Sequence, residues 1–175
     1  MIGPTHWARA IGNARSGNLA AARKDLAEIE AIGKGKVRHK NNYDSDWVEL
    51  LQQEASAWVL HGDGKNDEAI ATLKKVADRE DSVGEEQTSM PAREMLADLL
   101  LELKRPADAL AEYRGDLKLN PKRFNGLYGA ARAAEMAGQT SQAAEYYALL
   151  IKTCEGASSE RPELKKAKET VVAEK

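Results

Sequence analysis

Apolar residues recur at three- and four-residue steps along most of the chain, which is the periodicity of amphipathic helices. Short breaks divide these helices into pairs. The pairs are predicted at residues 4–32, 45–80, 90–119 and 121–153, followed by a single helix at 162–173. We therefore predict one all-α domain, residues 1–175, built as an α–α superhelix of about four helical hairpins plus a C-terminal capping helix.

The third and fourth hairpins repeat one template at an offset of 34 residues, and small residues match small ones while large match large. The matched pairs are Ala97 with Ala131, Leu100 with Ala134, Ala109 with Ala143, and Tyr113 with Tyr147. Alanines let two helices approach closely where they cross, and the tyrosines are expected to fill the space between successive hairpins. A hairpin cannot bury its apolar face alone, so stacked copies are expected to share a continuous core.

The first two hairpins repeat at an offset of 47, with Gly17 matching Gly64 and Ala22 matching Ala69. The additional residues form two inserts, 33–46 and 80–89. The first is basic and the second acidic: Lys34, Lys36, Arg38 and Lys40, against Glu80, Asp81, Glu85 and Glu86. We interpret the basic insert as a solvated loop. The alternative is a small phosphate or acidic-peptide contact, but apart from Tyr43 at its edge the insert lacks the interleaved aromatics that stack on bases.

Two junctions in the second half predict helix ends. Asn120 is expected to cap the first helix of the fourth hairpin, with Pro121 in the first turn of that helix. Gly138 is expected at the turn inside the same hairpin. Lys104 occupies the corresponding position in the third hairpin, where glycine would be usual.

The small–large spacing, together with Gly138 and Pro121, resembles the tetratricopeptide repeat (TPR) family over residues 90–150. The segments 120–131, 154–157 and 161–164 also resemble longer bacterial TPR proteins that carry a large N-terminal part. The resemblance implies a helical-repeat module for protein–protein contact. It implies no catalytic residue and no cofactor. An alternative is a structural C-terminal segment that packs on a missing N-terminal part or self-associates.

In this family the first helices of the hairpins line a concave groove that binds a peptide or a helix. Carrying those positions over predicts a groove formed by Glu54, Trp58, His61, Glu94, Asp98, Leu101, Asn125, Tyr128, Arg132 and Glu135. The family's carboxylate clamp is not expected, because acids stand at its basic and amide positions in the third hairpin. Trp58 and Leu101 could equally be covered by the inserts or by the C-terminal helix.

Composition and charge restrict the kinds of partner that the chain is expected to bind. The 175 residues carry a net charge of −2 and 5% aromatics, which gives no general affinity for nucleic acid and suits helix packing more than a sheet sandwich. Cys154 is the only cysteine, so no intramolecular disulfide can form.

The sequence shows no secretory signal and no membrane span. A cytoplasmic location is therefore expected, or a periplasmic one if upstream residues are missing. A protein or peptide partner and a possible homo-oligomer are predicted, with no membrane partner.

No motif for catalysis or metal binding is recognisable. His6, His39 and His61 lack a known metal-ligand spacing, and the four-residue step from Glu94 to Asp98 is typical of a solvated helix face. We therefore predict no enzyme, no cofactor and no metal. The remaining enzymatic alternative is a hydrolase or metal-dependent site in which His6 and His61 meet with groove carboxylates.

Overall fold

The computed structural model describes residues 3–36, 42–83, 90–158 and 161–173. Within these ranges the chain forms nine helices and no strand, so the predicted all-α class with four hairpins and a terminal helix is confirmed. The helices are α1 Gly3–Arg15, α2 Leu19–Lys36, α3 Asn42–Gly62, α4 Asn66–Val83, α5 Ala92–Glu102, α6 Pro106–Leu119, α7 Phe124–Met136, α8 Thr140–Thr153 and α9 Pro162–Ala173. None of these described helices is long and apolar enough to cross a membrane.

The chain divides into two compact units, Met1–Ala92 and Arg93–Lys175. In unit 1, α1 packs on α2 and α3, while α3 packs on α2 and α4. The centre of this packing is fully buried and apolar, with Ile29 of α2, Leu51 of α3 and Leu73 of α4. Burying such side chains stabilises a fold by about 1.5–3 kcal/mol each.

The described part of the basic insert differs from the prediction. Residues 33–36 extend α2 and residues 42–46 begin α3, so these parts are helical and do not form a loop. Arg38, His39 and Lys40 lie outside the described residues, as do Glu85 and Glu86 of the acidic insert.

Unit 2 is built from the 34-residue template. Its helices pack in sequence, α6 on α7, α7 on α8 and α8 on α9. The alanines predicted at the helix crossings are buried: Ala97, Ala109, Ala131 and Ala143. Tyr113 and Tyr147 are buried as well, as predicted for the residues that fill the space between hairpins.

The four turns inside the hairpins share one geometry. Gly17, Gly64, Lys104 and Gly138 have left-handed backbone conformations, with φ of 82°, 79°, 59° and 73°. In each turn the next residue donates its N–H to a carbonyl five residues back, as in Arg105 to Leu100 at 2.9 Å. This pattern closes a helix C-terminus and strongly favours glycine. Lys104 therefore adopts the glycine conformation without being glycine.

Replacing Lys104 with glycine is expected to stabilise the protein by about 0.5–1 kcal/mol. A left-handed backbone costs a residue with a Cβ about 1–2 kcal/mol, and the greater freedom of glycine in the unfolded chain offsets part of that gain. Urea unfolding measures the difference. The reciprocal change, Gly138→Lys, should destabilise by a similar amount, and equal effects of the same sign would contradict this reading of the turns.

The prediction for Asn120 and Pro121 is wrong. α6 ends at Leu119 and α7 begins only at Phe124. Asn120 closes α6, because its backbone N–H donates to the Asp116 carbonyl at 2.8 Å and its Nδ2 donates to Asp116 Oδ1 at 2.9 Å. Arg123 is the extended residue before α7 and makes no side-chain cap, since a guanidinium has no acceptor.

Candidate functional site

Unit 1 contributes three of the predicted groove residues, all on α3, and buries two of them. Glu54 is fully buried, and its Oε2 accepts a hydrogen bond from Trp7 Nε1 of α1 at 2.6 Å. Trp58 is buried beneath the guanidinium of Arg15, which lies 4.6 Å from the ring centroid. His61 is half-buried and meets the Trp58 ring edge-on. Glu54 and Trp58 therefore hold α1 against α3 and offer little surface to a partner.

The two histidines of the enzymatic alternative have different partners within unit 1. His6 Nδ1 lies 2.8 Å from Oδ1 of the buried Asp25 on α2. His61 Nδ1 lies 2.7 Å from Asn66 Oδ1, at the start of α4. Among the described residues, no group of three or more His, Cys, Asp and Glu side chains could hold a metal ion.

Sequence reasoning did not identify Asp25 as a structural residue. Its carboxylate is buried, and it also contacts Arg9 Nε at 3.3 Å and Asn13 Nδ2 at 3.5 Å. These two residues and His6, the third partner of Asp25, all belong to α1. Asp25 therefore connects the two helices of the first hairpin through one carboxylate.

In unit 2, α5 supplies Glu94, Asp98 and Leu101. Glu94 is buried and forms a two-pronged ion pair with Arg123, with Nε to Oε2 at 2.6 Å and Nη2 to Oε1 at 3.3 Å. Leu101 is buried. Asp98 is half-buried, so among these three residues of α5 it is the one whose polar side chain is accessible to a binding partner.

Two buried tyrosines reach from the second helices of the hairpins to acids on the first helices. The Tyr113 hydroxyl of α6 donates to Asp98 of α5, and the Tyr147 hydroxyl of α8 donates to Glu135 Oε2 of α7 at 3.0 Å. Burial raises the pKa of both phenols, and the neighbouring carboxylates raise it further. Both hydroxyls therefore stay protonated at neutral pH and hold Asp98 and Glu135 in place.

The remaining predicted residues lie on α7. Asn125 and Arg132 are exposed, and Tyr128 is half-buried. The Arg132 guanidinium lies 6.0 Å from the centroid of the Tyr128 ring, and that ring lies 6.1 Å from the ring of Tyr147. Arg132 makes no hydrogen bond or ion pair with any residue that the structure describes. Its positive charge acts to lower the pKa of both buried tyrosines, against the larger upward effect of burial.

We define the first-helix face of unit 2 as Asp98 of α5 with Asn125, Tyr128, Arg132 and Glu135 of α7. The residues Arg114 of α6 with Gln142 and Tyr146 of α8 form the second-helix face. There, Arg114 donates from Nε to the Tyr146 hydroxyl at 3.3 Å and from Nη2 to Gln142 Oε1. The arginine of the second-helix face thus has acceptors within the protein, whereas Arg132 of the first-helix face has none among the described residues.

Lys166 of α9 extends the first-helix face by one repeat. It stands 34 residues after Arg132, donates to Glu135 Oε2 at 2.7 Å and lies 5.9 Å from the Tyr147 ring centroid. The 34-residue offset could have identified it from the sequence. α9 therefore occupies the position that a first helix holds beside the preceding hairpin.

Glu94 gives unit 2 a pH-dependent stability. Burial raises the pKa of Glu94 most, Arg123 lowers it, and the Asp116 carboxylate adds to the rise, so the net shift is upward. A carboxyl group whose pKa is higher in the folded than in the unfolded chain makes its full contribution to stability at pH values below the unfolded pKa. That contribution is lost as pH rises through the folded value.

We expect the free energy of unfolding of the natural sequence, relative to Glu94→Gln, to fall as pH rises from about 4 to about 7. Urea titrations across this range measure the difference, since the amide cannot ionise. The exposed substitution Glu145→Gln is the control and should give a difference that does not vary with pH. A difference that grows with pH would contradict the assignment.

The fold is that of a helical-repeat protein of the tetratricopeptide-like type. Among solved structures, the one described as "MamA MSR-1 C2" aligns over 100% of this chain and 100% of its own, with a TM-score of 0.52 and 14% identity. That likeness shows the fold, a TPR-like helical solenoid. No family model and no curated protein matches the sequence.

Proposed function

We propose that this chain is a non-enzymatic TPR-type module that binds a peptide or a helix of another protein on the first-helix face of unit 2. The observation that carries the proposal is Arg132, an exposed arginine stacked over a half-buried tyrosine and without an acceptor among the described residues. Tyrosine and arginine are the residue types that most often dominate binding energy at protein interfaces.

The surroundings of Arg132 favour a preorganised contact surface. On the same face, Tyr113 and Tyr147 fix the carboxylates of Asp98 and Glu135 through hydrogen bonds. A surface whose side chains are already ordered loses less conformational entropy on binding. Asp98 and Glu135 can accept hydrogen bonds from a partner backbone, while Arg132 can donate to its carbonyl or carboxylate oxygens.

Both units are proposed to belong to one helical-repeat domain, residues 1–175. The support is the shared turn geometry, since Gly17 and Gly64 of unit 1 adopt the same conformation as Lys104 and Gly138 of unit 2. The binding proposal is confined to unit 2, because the predicted residues Glu54 and Trp58 of unit 1 are buried.

Selection of random peptides displayed on phage against the whole chain tests the proposal. Selected peptides should bind Tyr128→Ala/Arg132→Ala at least about tenfold more weakly, the loss expected for removing an interface hot spot. The matched control is Arg114→Ala/Tyr146→Ala, which removes the same two residue types from the second-helix face and should change affinity by less than about twofold. Failure to select any peptide, or equal losses in the two variants, would refute the proposal.

A further inference from the structure

A cleft of about 460 Å³ lies between the end of α8, the turn that follows it and α9. We call it the terminal cleft. Its apolar lining is Ala148, Ile151, Ala157 and Leu164, and its polar lining is Lys152, Cys154, Glu155 and Lys168. Clefts of this size are typical of sites that accept several side chains of a ligand.

Further apolar side chains are exposed on both helices that line the cleft. On α9, Leu164 and Lys168 are followed at helical spacing by Val172, whose side chain is 72% exposed. On α8, Leu149 is 43% exposed beside the lining residue Ala148. Each of the two helices that line the cleft therefore also carries a large apolar side chain that is exposed to solvent.

The chain itself shows what fills the equivalent position one repeat earlier. Ala148 and Leu164 correspond, 34 residues back, to Arg114 of α6 and Ala130 of α7. In that repeat, α8 packs against α7 and contacts Arg114 through Gln142 and Tyr146. A helix occupies the earlier position, whereas no helix of the described residues occupies the terminal cleft.

The charges at the cleft indicate the chemistry of a helix that would bind there. Lys152 and Lys168 stand on its two sides, both exposed and neither in a hydrogen bond or ion pair with a described residue. Glu155 is the one acid among the described lining residues, so these residues together carry a net positive charge. Exposed lysines beside an apolar groove favour carboxylates on the partner, because opposite charges steer association and set its orientation.

We propose that the terminal cleft binds an amphipathic helix of another protein, with its apolar side on Ala148 and Ile151 and acidic side chains facing Lys152 and Lys168. The bound helix extends the stack by one further helix, in the way that α8 follows α7. This site is separate in sequence and in its residues from the first-helix face that carries the proposed function.

A pair of synthetic helices tests the proposal on the whole chain. Each probe keeps the apolar residues of α8, Ala143, Tyr147 and Leu150, and is cross-linked from i to i+4 to hold the helix, because free peptides of this length are barely helical. One probe carries glutamate and the other lysine at the remaining positions. Fluorescence polarisation should show the acidic probe binding at least about tenfold more tightly than the basic one.

Reversing the charges of the cleft tests directly whether its two lysines determine which probe binds more tightly. Lys152→Glu/Lys168→Glu should invert the preference, so that the basic probe binds more tightly. The matched control Lys118→Glu/Lys122→Glu changes two other exposed lysines by the same charge and should leave the preference unchanged. All four positions are exposed, and circular dichroism verifies that each variant is folded.

The proposal is overturned if neither probe binds, if the control inverts the preference as well, or if an acidic probe with serine in place of its three apolar residues binds equally. It is also overturned if the chain dimerises on its own and the charge reversal abolishes the dimer, which would assign the cleft to a second copy. Loss of peptide binding in Tyr128→Ala/Arg132→Ala leaves this result unaffected, so the two sites fail independently.

Discussion

Replacing Gly129 with alanine is expected to destabilise unit 2 by about 3 kcal/mol, the upper part of the range for overpacking a core. Gly129 lies on α7 directly under the ring of Tyr113. A Cβ at this position would overlap the ring carbons Cζ and Cε1 and lie 2.5 Å from the hydroxyl oxygen. The ring must move, which breaks the hydrogen bond from the Tyr113 hydroxyl to Asp98. Urea unfolding followed by circular dichroism measures the loss.

Gly12→Ala is the matched control, because it makes the same change inside α1, where nothing lies within 4 Å of the added Cβ. It should stabilise the protein by about 0.5–1 kcal/mol, since alanine favours the helix. Tyr113→Leu combined with Gly129→Ala should cost less than the sum of the two single changes. Similar effects for Gly12→Ala and Gly129→Ala would contradict the close approach of α6 to α7.

Replacing Asp25 with alanine is expected to destabilise unit 1 by about 2–4 kcal/mol. The carboxylate is buried and is contacted by His6, Arg9 and Asn13 of α1. Removing one side of a buried polar cluster leaves its partners without their acceptor and leaves a cavity. The loss should stay below the upper limit for buried ion pairs, because Arg9 is mostly exposed and keeps its water.

Two further variants separate the charge from the packing of Asp25. Asp25→Asn keeps the shape and one acceptor oxygen, so it should cost less than Asp25→Ala. Asp78→Ala removes an exposed aspartate that pairs with Lys74 one turn away, and it should change stability by less than about 0.5 kcal/mol. A cost for Asp25→Ala no larger than that of Asp78→Ala would show that this carboxylate does not hold α1 to α2.

The helices and their pairing could be predicted because the information is local. Amphipathic spacing and the repeated alanines and tyrosines depend on residues close in sequence or related by a fixed offset. The turn at Lys104 follows from the same offset, since it aligns with Gly138. The structure adds that the backbone there is left-handed in spite of the side chain.

The polar interior could not be predicted, because each buried acid has partners that no periodic pattern specifies. Glu54 accepts from Trp7 and Glu94 pairs with Arg123, at separations of 47 and 29 residues. A glutamate on a first helix has the same sequence signature whether it faces a groove or a buried arginine. The template therefore identified the first helices but did not distinguish their buried positions from their exposed ones.

The helix boundary after α6 shows the same limit. Asn and Pro together typically open a helix, yet Asn120 and Pro121 form the turn that closes α6. The difference comes from Asp116, which holds Asn120 at the end of the helix through both backbone and side chain. Arg123 then pairs with Glu94 and sets the start of α7 three residues later than the pattern indicates.

Amide chemical-shift mapping of the 175-residue chain with a selected peptide tests the central claim most directly. The claim is that partners bind on the face formed by α5 and α7. The largest shift changes should lie in residues 124–136 and around Asp98, and they should disappear in Arg132→Ala. Largest changes in α6 and α8 on the second-helix face, or changes that persist in Arg132→Ala, would contradict it.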